Sequence, residues 1–112
     1  MVNYEILKIK NSWQIRADFN DTFLTFRFDK HRAIIDYLLV NNKIRNQGIG
    51  RELIHRFENF IKANGITVIW LRACQWDNTS QANIVKFYEK NNYVNIDNDY
   101  SGIGTIMKKR LN

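Results

Sequence analysis

The sequence contains no proline. It has a single cysteine, Cys74, two histidines and five glycines among 112 residues. Each shortage removes a class of protein. One cysteine excludes an internal disulfide framework and suits a reducing compartment, so a cytoplasmic location is expected. Two histidines and a cysteine, far apart in the chain, are a poor set of metal ligands, so no metal site is expected. No stretch approaches the roughly 20 consecutive apolar residues that cross a bilayer. Met1-Val2-Asn3-Tyr4-Glu5 lacks the basic-then-apolar layout of a secretory signal, so no membrane partner is expected. There is no proline-rich or Gly/Ser-rich linker and no repeat, and 112 residues predict one domain spanning 1–112.

Hydrophobic residues make up 45% of the chain, enough for one modest core. The formal charge of +6 favours anionic partners. The basic residues are nevertheless spread along the chain, and the one tight cluster, Lys108-Lys109-Arg110, reads as a solvated tail. A nucleic-acid partner is therefore disfavoured, though it stays open.

Apolar periodicity divides the chain in two. Val2 to Lys10 reads as a strand in which Leu7 and Ile9 switch parity after Val2, Tyr4 and Ile6, as a bulge or a twist would make them. Trp13, Ile15, Ala17 and Phe19 alternate with polar residues, as do Leu24, Phe26 and Phe28. Ala33 to Val40 is apolar on both faces, as a central strand should be. Short polar turns join these strands, which suits an antiparallel meander. Then Ile49, Leu53, Phe57, Phe60 and Ile61 recur at helical spacing, ended by Asn64-Gly65. Thr67 to Ala73 reads as a strand. Thr79-Ser80 starts a second helix carrying Ile84, Phe87 and Tyr88, which ends near Asn91-Asn92. Tyr93 to Ile96 and Gly104 to Leu111 are two closing strands around the loop Asp97 to Ile103. The order ββββ-α-β-α-ββ predicts an α/β (α+β) fold. Its sheet is mixed and mostly antiparallel, with about two helices packed on it and a parallel pair across the β-α-β unit.

The turn Arg45-Asn46-Gln47-Gly48-Ile49-Gly50 sits between that central strand and the first helix. Glycines let a backbone approach an anion, and the first N–H groups of a helix have no partners within it. The common nucleotide loops do not fit. A dinucleotide fingerprint wants glycine where Leu53 stands, and a P-loop wants Lys-Ser/Thr where Arg51-Glu52 stands. A tight turn with no ligand is the simpler alternative.

Two stretches together resemble a known family. Leu39-Val40-Asn41-Asn42-Lys43-Ile44-Arg45-Asn46-Gln47-Gly48-Ile49-Gly50 is similar to the acetyl-CoA signature of the GNAT superfamily of N-acetyltransferases. Phe87-Tyr88-Glu89-Lys90-Asn91-Asn92-Tyr93 resembles its later motif. The likeness runs from about Ala33 to Leu111, without the family's usual two N-terminal helices, which implies a minimal member. It implies an acetyl-CoA-dependent N-acetyltransferase acting on a primary amine of a small molecule or peptide, by direct attack in a ternary complex. Arg45, Asn46, Gln47, Gly48, Ile49 and Gly50 would hold the CoA pyrophosphate. Leu38, Leu39 and Val40 would pair with the pantetheine arm where neighbouring strands splay. Gln81 stands where the family often has a cofactor-touching asparagine; Asn78 and Asn83 are alternatives.

Tyr88 is the candidate general acid for the leaving thiolate, since a phenol of pKa about 10 keeps its proton at neutral pH. The alternative is a core aromatic. Asp36, the lone acid in an apolar strand, is the candidate base; the alternative is an exposed or ion-paired carboxylate. His31 is the reserve base. Cys74 reads as packing. Trp13 and Trp70 read as core, whereas Trp76 and Tyr100 are candidate pocket residues. Asp97 and Asp99, with Asp36, could attract a cationic acceptor. Two other readings stay open: a CoA-binding module without turnover, and a small basic nucleic-acid-binding domain. The final hairpin could also pair across a homodimer.

Overall fold

The structure, a computed structural model, describes residues 2–45, 47–74, 80–99 and 104–112. Within them the chain forms strands β1 (Tyr4–Ile9), β2 (Ser12–Ala17), β3 (Phe23–Phe28) and β4 (Ala33–Leu39). Helix α1 (Ile49–Ala63), strand β5 (Val68–Ala73), helix α2 (Gln81–Lys90) and strands β6 (Val94–Asp99) and β7 (Gly104–Arg110) follow. The described strands make one seven-stranded sheet in the order β1-β2-β3-β4-β5-β7-β6. Only β4 and β5 run parallel; the other neighbours are antiparallel. The expected ββββ-α-β-α-ββ order and mixed sheet are what the chain adopts.

Both helices pack on one face of the sheet. Ile49, Leu53, Phe57 and Ile61 form an i, i+4 ridge along α1 and are buried with Ile54. They meet Ile15, Leu24 and Phe26 from the meander and Ile69 and Leu71 from β5 in one core. Burying each such side chain contributes about 1.5–3 kcal/mol. Trp13 joins this core as expected, its ring 5.0 Å from Phe60 and 6.0 Å from Phe28. Trp70 does not: it pairs in register with Ile34 and Lys108 on the opposite face, with Lys108 Nζ 4.8 Å above its ring.

Of the two readings of the β1 parity switch, the bulge is not what forms. Strand β1 pairs with β2 in unbroken register from Tyr4↔Ala17 to Ile9↔Ser12, leaving Ile6 and Ile9 on an exposed edge. The parity switch reflects that exposure. Register shifts lie instead in β4, where Tyr37 pairs with Thr25 and Ile35 with Phe26, so Asp36 is the extra residue, and in β6 between Asn95 and Asp97.

Each helix ends by one pattern. Beyond α1, Gly65 has φ 83°, its N–H donates to the Lys62 carbonyl, and the Ile66 N–H donates to the Ile61 carbonyl. Beyond α2, Asn92 has φ 71°, its N–H donates to the Glu89 carbonyl, and the Tyr93 N–H donates to the Tyr88 carbonyl. Both are Schellman closures, with Ile66 and Tyr93 as the buried residues that follow. A half-buried polar staple holds the same corner. Glu58 of α1 accepts from Tyr93 Oη at 2.8 Å and from Lys109 Nζ at 2.9 Å, and Lys109 also donates to the Asn91 carbonyl.

Candidate functional site

The site begins where two parallel strands part. β4 and β5 pair at Ala33↔Ile69, Ile34↔Trp70 and Ile35↔Leu71, and there the ladder stops. β4 runs on beside β3 as far as Leu39, and β5 runs on beside β7 as far as Ala73. The extra residue at Asp36 lies immediately past the last shared pair. A bulge bends its strand and increases its twist, so β4 swings from β5 at this point. A gap therefore opens between Leu38 to Val40 and Arg72 to Cys74, in the middle of a continuous sheet.

The glycine turn stands at the end of this gap. Gly48 is the N-cap of α1, with φ 78°, and no side chain caps the helix there. A Cβ added at Gly48 would meet nothing within 4 Å, so the space beside it is open. Glycine is used here for its left-handed backbone, which L side chains rarely adopt. Gly50 is used for a different reason: a Cβ would lie 3.2 Å from two ring carbons of Phe87 and 3.5 Å from Val40 Cγ2. Gly50 is thus where α2 closes on α1. Arg45 is turned back toward the strand, its Nε donating to the Val40 carbonyl at 3.0 Å. Gln47 is exposed beside Gly48, and Ile49 is buried as the first residue of the core ridge. Asn46 lies outside the described residues.

The first turn of α1 thus presents N–H groups with no side-chain cap, a left-handed glycine, open space and a nearby guanidinium. That donor set fits an anion such as a pyrophosphate.

From the other side α2 covers the gap. Ser80 caps α2 by accepting from the Asn83 N–H at 3.2 Å. Gln81 then donates its side-chain Nε2 to the Ala73 carbonyl at 2.6 Å and to Thr105 Oγ1 at 3.3 Å. Its amide nitrogen is therefore committed to joining the ends of β5 and β7, a role the sequence does not reveal. Asn83 is exposed on the first turn of α2; Asn78 lies outside the described residues.

Tyr88 lies deep beneath α2 and is 4% exposed. Its ring meets Phe87 at 5.2 Å and Tyr93 at 5.6 Å. Burial, and secondarily the neighbouring Cys74, hold its phenol pKa well above the usual value. The phenol therefore keeps its proton throughout the working range. Cys74 follows β5 beside the gap, close to Gly104, where an added Cβ would lie 2.9 Å from the Cys74 sulfur.

Asp36 takes the ion-paired alternative. Its two carboxylate oxygens accept from Arg27 Nε and a terminal guanidinium nitrogen, each at 2.8 Å. Bulge and bidentate pair together hold the carboxylate on the face of the sheet away from the helices. His31 lies in the loop before β4, at the end of the strand away from the gap, where its N–H donates to Asp29. Trp76 and Tyr100, and the side chains of Asp97 and Asp99, lie outside what the structure describes.

This geometry has counterparts. No curated protein matches the chain. Among solved structures, it is similar to the PaiA N-acetyltransferase from Thermoplasma acidophilum in complex with coenzyme A, with TM-score 0.72 and 23% identity. That match covers 87% of this chain and 59% of the other, so this chain spans little more than half of that protein. It is similar to a GNAT family acetyltransferase from Elizabethkingia anophelis with acetyl-CoA bound, with TM-score 0.75 and 14% identity, covering 98% of each chain. It is also similar to the anti-CRISPR protein AcrVA5, with TM-score 0.70 and 24% identity, covering 88% of this chain and 97% of that one. Identities this low speak for the fold alone. The sequence model of the acetyltransferase (GNAT) family matches residues 14–93, from β2 through the gap and the glycine turn to the close of α2. On that match the chain belongs to the GNAT acetyltransferase family.

Proposed function

We propose that the chain is an acetyl-CoA-dependent N-acetyltransferase that acetylates a primary amine by direct attack in a ternary complex. The observation that carries this reading is the gap between β4 and β5, opened at Asp36, with an uncapped helix N-terminus at its end. Bound there, acetyl-CoA would supply an activated acetyl thioester.

Each residue's part follows from its place. The first-turn N–H groups from Gly48 to Gly50, with Arg45 and Gln47 beside them, hold the pyrophosphate, and the α1 dipole adds to that attraction. The backbone of Leu38, Leu39 and Val40, released from β5, aligns the pantetheine arm by strand-like hydrogen bonds. A backbone N–H on this edge polarises the thioester carbonyl. Tyr88 keeps a proton available for the departing sulfur, and its burial makes that proton unavailable to bulk water. Asp36, fixed by Arg27, takes up a proton on the amine side, directly or through water. The first-turn N–H groups and the strand edge act on the cofactor through the backbone.

The test is twofold. Acetyl-CoA should raise the melting temperature through binding to the folded state, and a primary-amine panel should release free thiol. Tyr88→Phe should slow thiol release about tenfold or more while leaving the thermal shift intact. A second reading, a CoA-binding module without turnover, is favoured by the commitment of Asp36 to Arg27. Under it the thermal shift persists and no amine releases thiol.

A further inference from the structure

Resting on the acetyltransferase reading, we infer that Glu58, with Tyr93 and Lys109, is a positioning group for Tyr88, which it holds in register with the start of α1 by tying the end of α2 to that helix. The molecule carries its own control. Phe60-Ile61-Lys62-Ala63-Asn64-Gly65-Ile66 closes α1, and Phe87-Tyr88-Glu89-Lys90-Asn91-Asn92-Tyr93 closes α2. The two segments match position by position. Asn64 donates its side-chain amide to the Phe60 carbonyl, and Asn91 donates its own to the Phe87 carbonyl, each at 2.8 Å. The Ile66 N–H donates to the Ile61 carbonyl, and the Tyr93 N–H to the Tyr88 carbonyl, each at 3.0 Å. Ile61, Ile66, Tyr88 and Tyr93 are all buried. The same closure thus forms with isoleucine in both places where α2 has tyrosine.

What α2 adds is a polar tie. Tyr93 Oη donates to Glu58 at 2.8 Å. Lys109 Nζ donates to the two Glu58 oxygens at 2.9 and 3.0 Å and to the Asn91 carbonyl at 2.9 Å. It also lies 5.4 Å from the centre of the Tyr93 ring. The Lys109 and Glu58 side chains are only 17% and 13% exposed. Taking two charges largely out of water is costly, and such a pair is often no more stabilising than apolar residues of the same size. The end of α1 shows that the closure itself does not require one. The tie instead fixes a geometry among three elements: α1 through Glu58, β7 through Lys109, and the end of α2 through Asn91 and Tyr93.

That geometry reaches the site through ring contacts. The Tyr93 ring stands edge-on to Tyr88, with centroids 5.6 Å apart. Phe87, which closes on Gly50, meets the Tyr88 ring at 5.2 Å. The place of the phenol therefore depends on where Tyr93 is held. Glu58 belongs to the same helix whose first turn would hold the pyrophosphate, so the tie sets Tyr88 relative to the anion position. In the reaction the amine nitrogen bonds to the acetyl carbon and the carbon–sulfur bond breaks, its electron pair going to sulfur. The sulfur takes the phenol's proton, and the proton released by the nitrogen makes good that loss through solvent, so no further reactant is needed. A shift of about 1 Å at the phenol is enough to slow such a step.

The experiment is a double-mutant cycle on kcat, read by thiol release from acetyl-CoA with the primary-amine panel, alongside the acetyl-CoA thermal shift. Glu58→Leu with Lys109→Met removes both charges together and leaves neither unpaired. Tyr93→Phe keeps the ring and removes only the hydroxyl. The first should lower kcat about fivefold and the second about two- to threefold, with KM for acetyl-CoA and the thermal shift unchanged. In the Tyr88→Phe background neither should lower kcat further. Lys109→Arg, which keeps a donor to Glu58, should stay closer to the parent than Lys109→Met. Ile66→Ala, which loosens the matching end of α1, should lower the melting temperature and leave kcat unchanged. Without acetyl-CoA, NMR of ring-labelled tyrosine should resolve the two edges of Tyr88 in the parent and average them in the charge-free variant. Losses in kcat that persist undiminished in the Tyr88→Phe background overturn the inference, as does an unmoved Tyr88 ring signal or a Tyr88→Phe variant as fast as the parent. In each case the thermal shift and thiol release of the parent leave the acetyltransferase reading standing. A parent that shows no shift, or releases no thiol with any amine, removes that reading and the inference with it.

Discussion

Helices α1 and α2 stop by the same hydrogen bonds and start by different ones. At the C-termini, Gly65 and Asn92 take the left-handed conformation, and Ile66 and Tyr93 bond back to Ile61 and Tyr88. At the N-termini, α2 closes itself with the Ser80 hydroxyl, whereas α1 begins at a left-handed Gly48 with no side-chain cap. Ending a helix is a folding problem, and both ends use one solution to it. Beginning one is a folding problem only for α2. Ser80 makes the start of α2 self-sufficient, while the start of α1 leaves its donors to whatever enters the gap beside it.

The largest test of that contrast is Gly48→Asp. A carboxylate at the open start of α1 would occupy the anion position, and the acetyl-CoA thermal shift should vanish. At a hundredfold excess over Kd, that shift corresponds to about 2.7 kcal/mol of stabilisation. Gly48→Asn, which tolerates the left-handed backbone equally but carries no charge, should keep part of it. If both variants bind as the parent does, the start of α1 is not the anion site.

A second test reads the shared C-terminal closure. Tyr88 and Tyr93 are the third residue from the end of α2 and the residue past its left-handed turn. Burial holds both phenols above their usual pKa, helped at Tyr93 by Glu58 and at Tyr88 by Cys74. The folded state therefore holds these protons more tightly than the unfolded state does. That stability is complete below about pH 10 and is lost as pH rises from there through the folded values. Melting temperature should fall steeply above about pH 10, and Tyr88→Phe should flatten the fall. A flat profile in the parent would mean that this corner opens readily to solvent.

Smaller effects separate the two glycines and the two starts. Gly50→Ala places a methyl 3.2 Å from the Phe87 ring, and a net loss of about 1 kcal/mol is expected after the gain in helix propensity. Phe87→Leu should restore it. Ser80→Ala should cost about 0.5–1 kcal/mol by chemical denaturation and leave the acetyl-CoA shift unchanged. Loss of the shift in that variant would erase the distinction between the two starts.

Much of this was legible in the sequence because it depends on local pattern. The α1 ridge from Ile49 to Ile61 declares a helix by its spacing, and Asn64-Gly65 declares its end. The glycine turn after an apolar strand announces an anion position without naming the anion. Three features were not legible. The parity switch at Leu7 suggested a bulge in β1, yet an edge strand can expose Ile6 and Ile9 without one. The bulge at Asp36 leaves no local mark, because it is a mismatch of register between two strands. The bonds of the Gln81 amide and the lack of room for a side chain at Gly50 are set by Ala73, Thr105 and Phe87, outside either residue's local pattern.

Local periodicity and turn chemistry determined the order of strands and helices, and two short motifs determined the family. Those properties depend on residues within a turn or two of one another, where spacing alone decides what is buried. Tertiary structure decided that β4 and β5 separate after Ile35 and Leu71, that Asp36 meets Arg27, and that Tyr88 is sealed beneath α2. It also decided that both helices share one face. Each of these is a contact between residues distant in sequence, and its energy exists only once the strands have taken their register.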